Sequence, residues 1–262
     1  MNEVSDGPLR VTVQGGTAIL TLNRPEARNA LNEELLHAIR DTTTAAVGDP
    51  TIKVLIITGA GDRAFCAGAD IRQMQHMDAE GGRRWSRLGH EVFQQLEDLA
   101  LPTVAAVNGV AVGGGCELAL ACDFRFLAAS AQIGQPEIKL GMIPGWGGTQ
   151  RLPRLIGMSR AKELVLTGRM MRADEAARAG FADRVATSDL LTEALDFASQ
   201  FGALPPLALR YAKHAMHLGR DMSLREANGV EIDTFAQCFD TEDKAEGLAA
   251  FLEKRPPVFK GR

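Results

Sequence analysis

Short runs rich in β-branched residues alternate with helical periodicity along the first half of the chain. Leu9–Val13 and Thr17–Leu22 read as strands, and Asn32–Val47 repeats its apolar residues at helical spacing until Gly48 and Pro50 stop it. The order recurs as strand Val54–Thr58, a helix over Gly82–Leu99, strand Val104–Val107, a helix from Cys116 and strand Phe124–Ala128. Repeated ββα units of this kind predict a mixed α/β layer. After Gly148 the strand signals largely stop, and amphipathic helices are expected at Ser159–Leu166, Asp174–Ala179, Ser188–Phe201, Ala208–Leu218, Ser223–Phe235 and Thr241–Lys254. Pro205-Pro206 and Pro256-Pro257 punctuate this tail, but no linker composition or repeat interrupts it. The expected organisation is an α/β core over residues 1–200 and a helical C-terminal region over 201–262, forming one compact unit.

Composition narrows the function classes. With 262 residues, 45% of them apolar and 24% charged, the chain has the make-up of a globular protein able to bury a full core. A formal charge of -4 gives no electrostatic footprint for nucleic acid. The four cysteines, Cys66, Cys116, Cys122 and Cys238, contain no CxxC pair, which points to a reducing compartment and to no zinc site. Met1–Asp6 lacks a basic segment followed by an apolar one, and the longest apolar run, Val104–Val112, is too short to span a bilayer. The expectation is a cytoplasmic protein with no membrane partner.

Three glycine-rich segments carry the candidate chemistry. The loop after the strand ending at Thr58 runs from Gly59 to Ile71, and its small residues let the amides at Ala67 to Asp70 donate to a polarised oxygen, or simply form a tight turn. Gly59-Ala60-Gly61 is also a loose dinucleotide fingerprint, but Phe65, Cys66 and Gly68 are a poor start for the helix that fingerprint needs. The second segment brings Gly113-Gly114-Gly115 to a helix start, where free amides and the helix dipole favour negative charge on a carbonyl oxygen. Glu117 follows in the first turn, as a reactive carboxylate or as one that merely complements the dipole. The third places Glu137 just before the Gly/Pro-rich stretch Gly141–Gly148, as a second reactive carboxylate or an exposed loop residue. Two carboxylates in one partly dry pocket repel, so one of them is expected to exchange protons near neutral pH. His214 and His217 sit at i, i+3 without a third ligand, so no metal is assigned. There is no GxSxG, Walker A or HExxH signature.

Together the segments resemble the enoyl-CoA hydratase/isomerase, or crotonase, family. The resemblance rests on Asn23-Arg24-Pro25, Asn29-Ala30-Leu31, Phe65 to Asp70, Asn108-Gly109 through Glu117, Gln135-Pro136-Glu137 and Pro144 to Leu152, in that order and nearly end to end. It implies a spiral of ββα units with a C-terminal helical region that trimerises, giving a homotrimer or a homohexamer built as a dimer of trimers. It implies an acyl-CoA thioester substrate and no cofactor beyond the coenzyme A that the substrate carries. It further implies that the amides of Ala69 and Gly114 form an oxyanion hole, that Glu117 acts as base and Glu137 as acid on one water, that Gly145 helps place that water and that Gln135 orients Glu137. Coenzyme A is expected along Ala27, Arg28, Ala67, Asp70, Ile71 and Arg72, with Lys260 reaching a phosphate. The glutamate pair favours hydration of a 2-enoyl-CoA to a 3-hydroxyacyl-CoA over isomerisation, which needs one base, while decarboxylases, lyases and hydrolases share the same scaffold. Trp146, where many relatives carry a smaller side chain, is expected to shorten the acyl pocket, stack on a ring, or turn into the core.

Overall fold

The computed structural model describes residues 7–262, so the Met1–Asp6 stretch read above for targeting signals lies outside the described residues. In chain order the elements are β1 Leu9–Gln14, β2 Thr17–Leu22, α1 Glu33–Gly48, β3 Val54–Gly59, β4 Ala64–Cys66, α2 Ile71–Met74, α3 Ala79–Glu97, β5 Thr103–Val107, β6 Val110–Val112, α4 Gly114–Leu120, β7 Phe124–Leu127 and β8 Gln132–Gly134. Then follow α5 Gly148–Ile156, α6 Met158–Thr167, β9 Met170–Arg172, α7 Ala173–Ala179, β10 Arg184–Val185, α8 Leu190–Ser199, α9 Pro206–Gly219, α10 Leu224–Cys238 and α11 Glu242–Glu253. Short 3-10 helices occupy Pro25–Ala27 and Pro136–Leu140.

From β3 to β8 successive strands alternate between two sheets. β1, β2, β3, β5, β7 and β10 form a six-stranded sheet in that order, parallel except for the β1–β2 hairpin. β4, β6, β8 and β9 form a second sheet, in which only the β8–β9 pair is antiparallel. After the β1–β2 hairpin, which lies wholly in the large sheet, the pairs β3/β4, β5/β6 and β7/β8 each lay one strand in the large sheet and the next in the small one before helical structure returns the chain, which is the ββα spiral expected.

The two-residue side-chain period sorts the large sheet's residues onto two faces. Leu20, Leu55 and Ile57 join Leu35, Leu36, Phe65 and Phe93 in the main core, while Ile19, Ile56 and Phe126 turn the other way and are covered by Leu190, Ala194 and Ala198 of α8. Burial on both faces explains why β3 reads as an unbroken apolar run rather than an alternating one. α1 is started by Asn32, whose side chain accepts from the Leu35 amide, and buries the stripe Leu35, Leu36, Ile39, Thr43 and Ala46.

Several expectations need correcting. Strands do not stop at Gly148: β9 and β10 complete the two sheets, and a helix that the sequence reading omitted, α5, follows Gly147 at once. β4, β6, β8 and β9 have three residues each and β10 two, too few to show a period. α4 begins at Gly114, two residues before Cys116, because glycine contributes no hydrophobic signal at the turn that starts it. The C-terminal helices α9 to α11 are tied to the core by Lys213, which donates to Asp123 at 2.7 Å and to the Leu101 carbonyl at 3.0 Å. They leave Phe235, Phe239, Phe251 and Leu252 exposed.

Candidate active site

A cavity of about 880 Å³ opens between α3, the β6–α4 junction and the segment from Pro136 to Gln150. It brings together Ala67, Ala69, Ile71, Gly114, Glu117, Glu137, Gly145 and Trp146 from three separate stretches of sequence.

Two amides lie side by side on one wall. The Leu31 amide donates to the Gly68 carbonyl and the Asp70 amide to the Leu31 carbonyl, both at 2.8 Å, which pins the chain on either side of Ala69 and leaves the Ala69 amide without a main-chain acceptor among the described residues. Gly114 is the first residue of α4, where the N–H has no partner within the helix. A Cβ built on Gly114 would stand 3.3 Å from the Ala69 nitrogen, so the two amides are neighbours. Gly113 takes φ 54 at this turn, a left-handed value, and a side chain there would press on Glu137 Oε1 at 3.0 Å. Glycine at both positions keeps main chain, and nothing else, facing the cavity. Paired donors at a helix start are suited to an oxygen that gains negative charge.

The carboxylates face the same space. Glu117 is 2% exposed on α4, and one oxygen, Oε1, accepts from the Trp146 and Gly148 amides, each at 2.7 Å. Burial raises its pKa, against the opposing pull of those two amides and of Arg151. Glu137 is half-buried on the 3-10 turn that follows β8. Burial, aided by the Glu117 charge and opposed by its own main-chain amide, pushes its pKa up to about 7. Gln135 is fully buried, and in the amide orientation its neighbours require it donates to Glu137 Oε1 at 2.9 Å and Oε2 at 3.2 Å. Ionised or neutral near physiological pH, Glu137 has what an exchangeable proton site needs.

The loop that grips Glu117 is itself braced by residues the sequence reading passed over. Arg151 donates to the Trp146 carbonyl at 3.0 Å and to Glu97 Oε2 at 2.7 and 3.0 Å, while Arg220 from α9 donates to Glu97 Oε1 at 2.6 Å. Burial works against the Glu97 charge, but the two guanidinium groups outweigh it and hold the carboxyl below its ordinary range. Ser86 on α3 donates to the Gly145 carbonyl at 2.7 Å. The spacing of Gly82, Trp85, Ser86, Gly89 and His90 along one face of α3 was the available signal, but it reads equally well as a core stripe.

The expected coenzyme A contacts divide. Ala67 and Ile71 line the cavity, and Ile71 is exposed. Ala27 ends its 3-10 helix and Arg28, at φ 52, accepts through its carbonyl from the Ala67 amide at 3.0 Å, which places both beside the cavity mouth rather than in its wall. Asp70 is engaged by Arg24 at 2.9 Å and caps α2 through the Arg72 amide at 3.2 Å, so its carboxylate already has a structural task. Lys260 packs against the start of α11, with its amide donating to Asp243 at 2.6 Å and its ammonium 3.4 Å from Glu242. Gly59-Ala60-Gly61 is no nucleotide loop: Asn108 donates to the Gly59 and Gly61 carbonyls, and strand β4 follows in place of a helix. His217 lies 3.7 Å from Asp123, and the described residues hold no group of three potential metal ligands. Nor is any described helix long and apolar enough to cross a membrane.

Known proteins resemble this one in sequence and fold along nearly the whole chain. The family model for enoyl-CoA hydratase/isomerase matches residues 12–262. The crotonyl-CoA hydratase of Syntrophomonas wolfei is 47% identical over 92% of this chain and 94% of its own, and the short-chain-enoyl-CoA hydratase of Clostridium acetobutylicum is 42% identical over 92% and 93%. The crystal structure of an enoyl-CoA hydratase from Bacillus anthracis superposes with a TM-score of 0.93 at 40% identity, covering 97% of this chain and all of the other. Sequence and fold therefore agree that this chain belongs to the enoyl-CoA hydratase/isomerase family.

Proposed function

We propose that the protein hydrates the C2=C3 double bond of a 2-enoyl-CoA thioester, giving a 3-hydroxyacyl-CoA. The observation that carries this reading is the pairing of two carboxyls with two adjacent donor amides in one cavity, with Glu137 poised to hold or release a proton near neutral pH. The thioester oxygen accepts from the Ala69 and Gly114 amides. Glu117 takes a proton from water as the water oxygen bonds to C3, the C2=C3 electrons move onto the thioester oxygen as an enolate, and Glu137 delivers a proton to C2. The protons then redistribute between the two carboxyls through solvent, and one water has been added. Stabilising the enolate more than the ground-state carbonyl is where these amides gain their effect. Gly145 borders the space where that water sits. Ala27, Arg28, Ala67, Ile71 and Arg72 line the approach of coenzyme A, which the substrate itself supplies, and no other cofactor enters the reaction.

The exposed Phe235, Phe239, Phe251 and Leu252 support assembly through the C-terminal helices into a homotrimer or a homohexamer, in which Lys260 meets a neighbouring subunit's ligand. Cys66, Cys116 and Cys122, buried and unpaired, fit a reducing cytoplasm. The reading is tested by following loss of the conjugated enoyl absorbance with crotonyl-CoA. Wild type is expected to hydrate it, and Glu117→Gln and Glu137→Gln each to lose at least ~100-fold, within the range of general acid–base groups. A wild type that binds the thioester and leaves it unchanged contradicts the reading.

A further inference from the structure

Trp146 serves the site twice, through different atoms. Its main-chain amide holds Glu117 and would do so with almost any side chain attached. Its indole is 2% exposed yet borders the cavity, so it is a wall and not a mobile platform. Of the three roles open to it in the sequence, this placement fits an indole that is turned into the core and shortens the pocket.

Away from the cavity the indole is held by its neighbours. Nε1 donates to the Trp85 carbonyl at 3.1 Å, the ring lies 5.2 Å from the Trp85 ring, and Phe93 meets it edge-on at 5.6 Å. Two glycines make the slot it fills: a Cβ on Gly89 would collide with Nε1, Cδ1 and Cε2, and a Cβ on Gly114 would stand 2.5 Å from Cζ3. Gly114 is also one of the two donors to the thioester oxygen. The six-membered ring therefore packs directly behind the point where the acyl group begins, between that point and the apolar core beyond Phe93. A smaller residue in its place would leave a channel running from the carbonyl site along α3 toward Phe93.

On the reading proposed above, we infer that the Trp146 indole is the specificity-determining wall of the acyl compartment, closing its inward direction and restricting the protein to short-chain 2-enoyl-CoA thioesters. The restriction is steric. A packed, hydrogen-bonded indole cannot be displaced without giving up its bond to Trp85 and the filled slot at Gly89.

The test compares crotonyl-CoA with trans-2-decenoyl-CoA, taking the ratio of their kcat/KM values so that a general loss of activity cancels. Wild type is expected to favour crotonyl-CoA by roughly tenfold or more, the scale on which pockets discriminate added methylenes. Trp146→Ala is expected to bring the ratio down by at least a similar factor, and Trp146→Phe, which keeps a ring and is the variant to use if the alanine form does not fold, to give an intermediate ratio. Calorimetric binding of the unreactive butyryl-CoA and decanoyl-CoA is expected to follow the same order. A wild type that hydrates both enoyl thioesters equally, or ratios unchanged in the variants, overturns this inference and leaves the hydratase reading intact. A wild type that binds butyryl-CoA over decanoyl-CoA, with the preference lost in the variants, but hydrates neither enoyl thioester supports the wall and overturns the hydratase reading.

Discussion

Glu117 stands on α4, a helix whose seven residues are all buried, whereas Glu137 stands on a 3-10 turn none of whose five residues is buried. The core grips the first through two main-chain donors on a loop braced by Arg151 and Glu97; the second is met by a single side-chain amide, from Gln135. Both carboxyls are pushed toward the neutral form by burial, but by different surroundings. The difference is useful for water addition. A base must be placed accurately against a water, which rigid main-chain donors do well, and a proton donor must change state within the cycle, which suits a carboxyl nearer solvent.

The comparison can be broken most severely at the brace. Glu97 and Arg151 have side chains 8% and 10% exposed, so Glu97→Ala leaves Arg151 as a buried charge without its partner. The expected cost is about 3–5 kcal/mol, the range for breaking one side of a buried ion pair, read as a fall in denaturant midpoint. A midpoint within error of wild type would mean that the loop holds Glu117 without this support. Because the Glu97 pKa is lowered on folding, its contribution is present above its unfolded value and disappears as pH falls through the folded value. Stability of wild type is therefore expected to drop on acidification more than that of Glu97→Ala.

A smaller effect is expected from the α3 side. Gly89→Ala drives a methyl into the Trp146 indole and is expected to destabilise by about 1–3 kcal/mol, as overpacking does. Thermal melting of Gly89→Ala beside Gly82→Ala, where a Cβ meets nothing within 4 Å, checks that the cost is local to the indole.

Gln135→Leu sharpens the contrast at the other carboxyl. Losing the donor to Glu137 is expected to reduce kcat by about tenfold, the worth of a hydrogen bond of about 1.5 kcal/mol to a charged group, while butyryl-CoA binding stays within twofold. An equal loss in binding would assign Gln135 to the ligand instead. The smallest effect is the pH profile. With Glu137 donating its proton, kcat/KM is expected to fall as pH rises through about 7, and the limb belongs to the coupled pair rather than to one residue. A rate that rises through that range would reverse the roles of the two glutamates.

How much of this was legible in the sequence follows from the physics of each part. The large sheet and the long helices announced themselves because strands such as Val54–Gly59 are buried on both faces and helices such as α1 carry a clear stripe and cap. The small sheet did not, since its strands are too short to establish a period. The Gly113–Gly115 run signalled a close approach, but which atoms approach was hidden: Glu137, Trp146 and the Cys66 carbonyl come from two other segments. Trp146 could be flagged as unusual and not placed, because Gly89, which makes its slot, is 57 positions away and reads as a poor helix residue. Arg151 and Glu97 were invisible for the same reason, as pairing partners are set by tertiary structure and not by spacing.

Turnover of crotonyl-CoA in heavy-oxygen water and in deuterium oxide, with the label located in the product by mass spectrometry, reads out water addition atom by atom. Hydration yields 3-hydroxybutyryl-CoA with the heavy oxygen in its C3 hydroxyl and one deuterium at C2, the thioester intact. Heavy oxygen in a released carboxylic acid, or turnover that moves the double bond without taking up solvent oxygen, would contradict it.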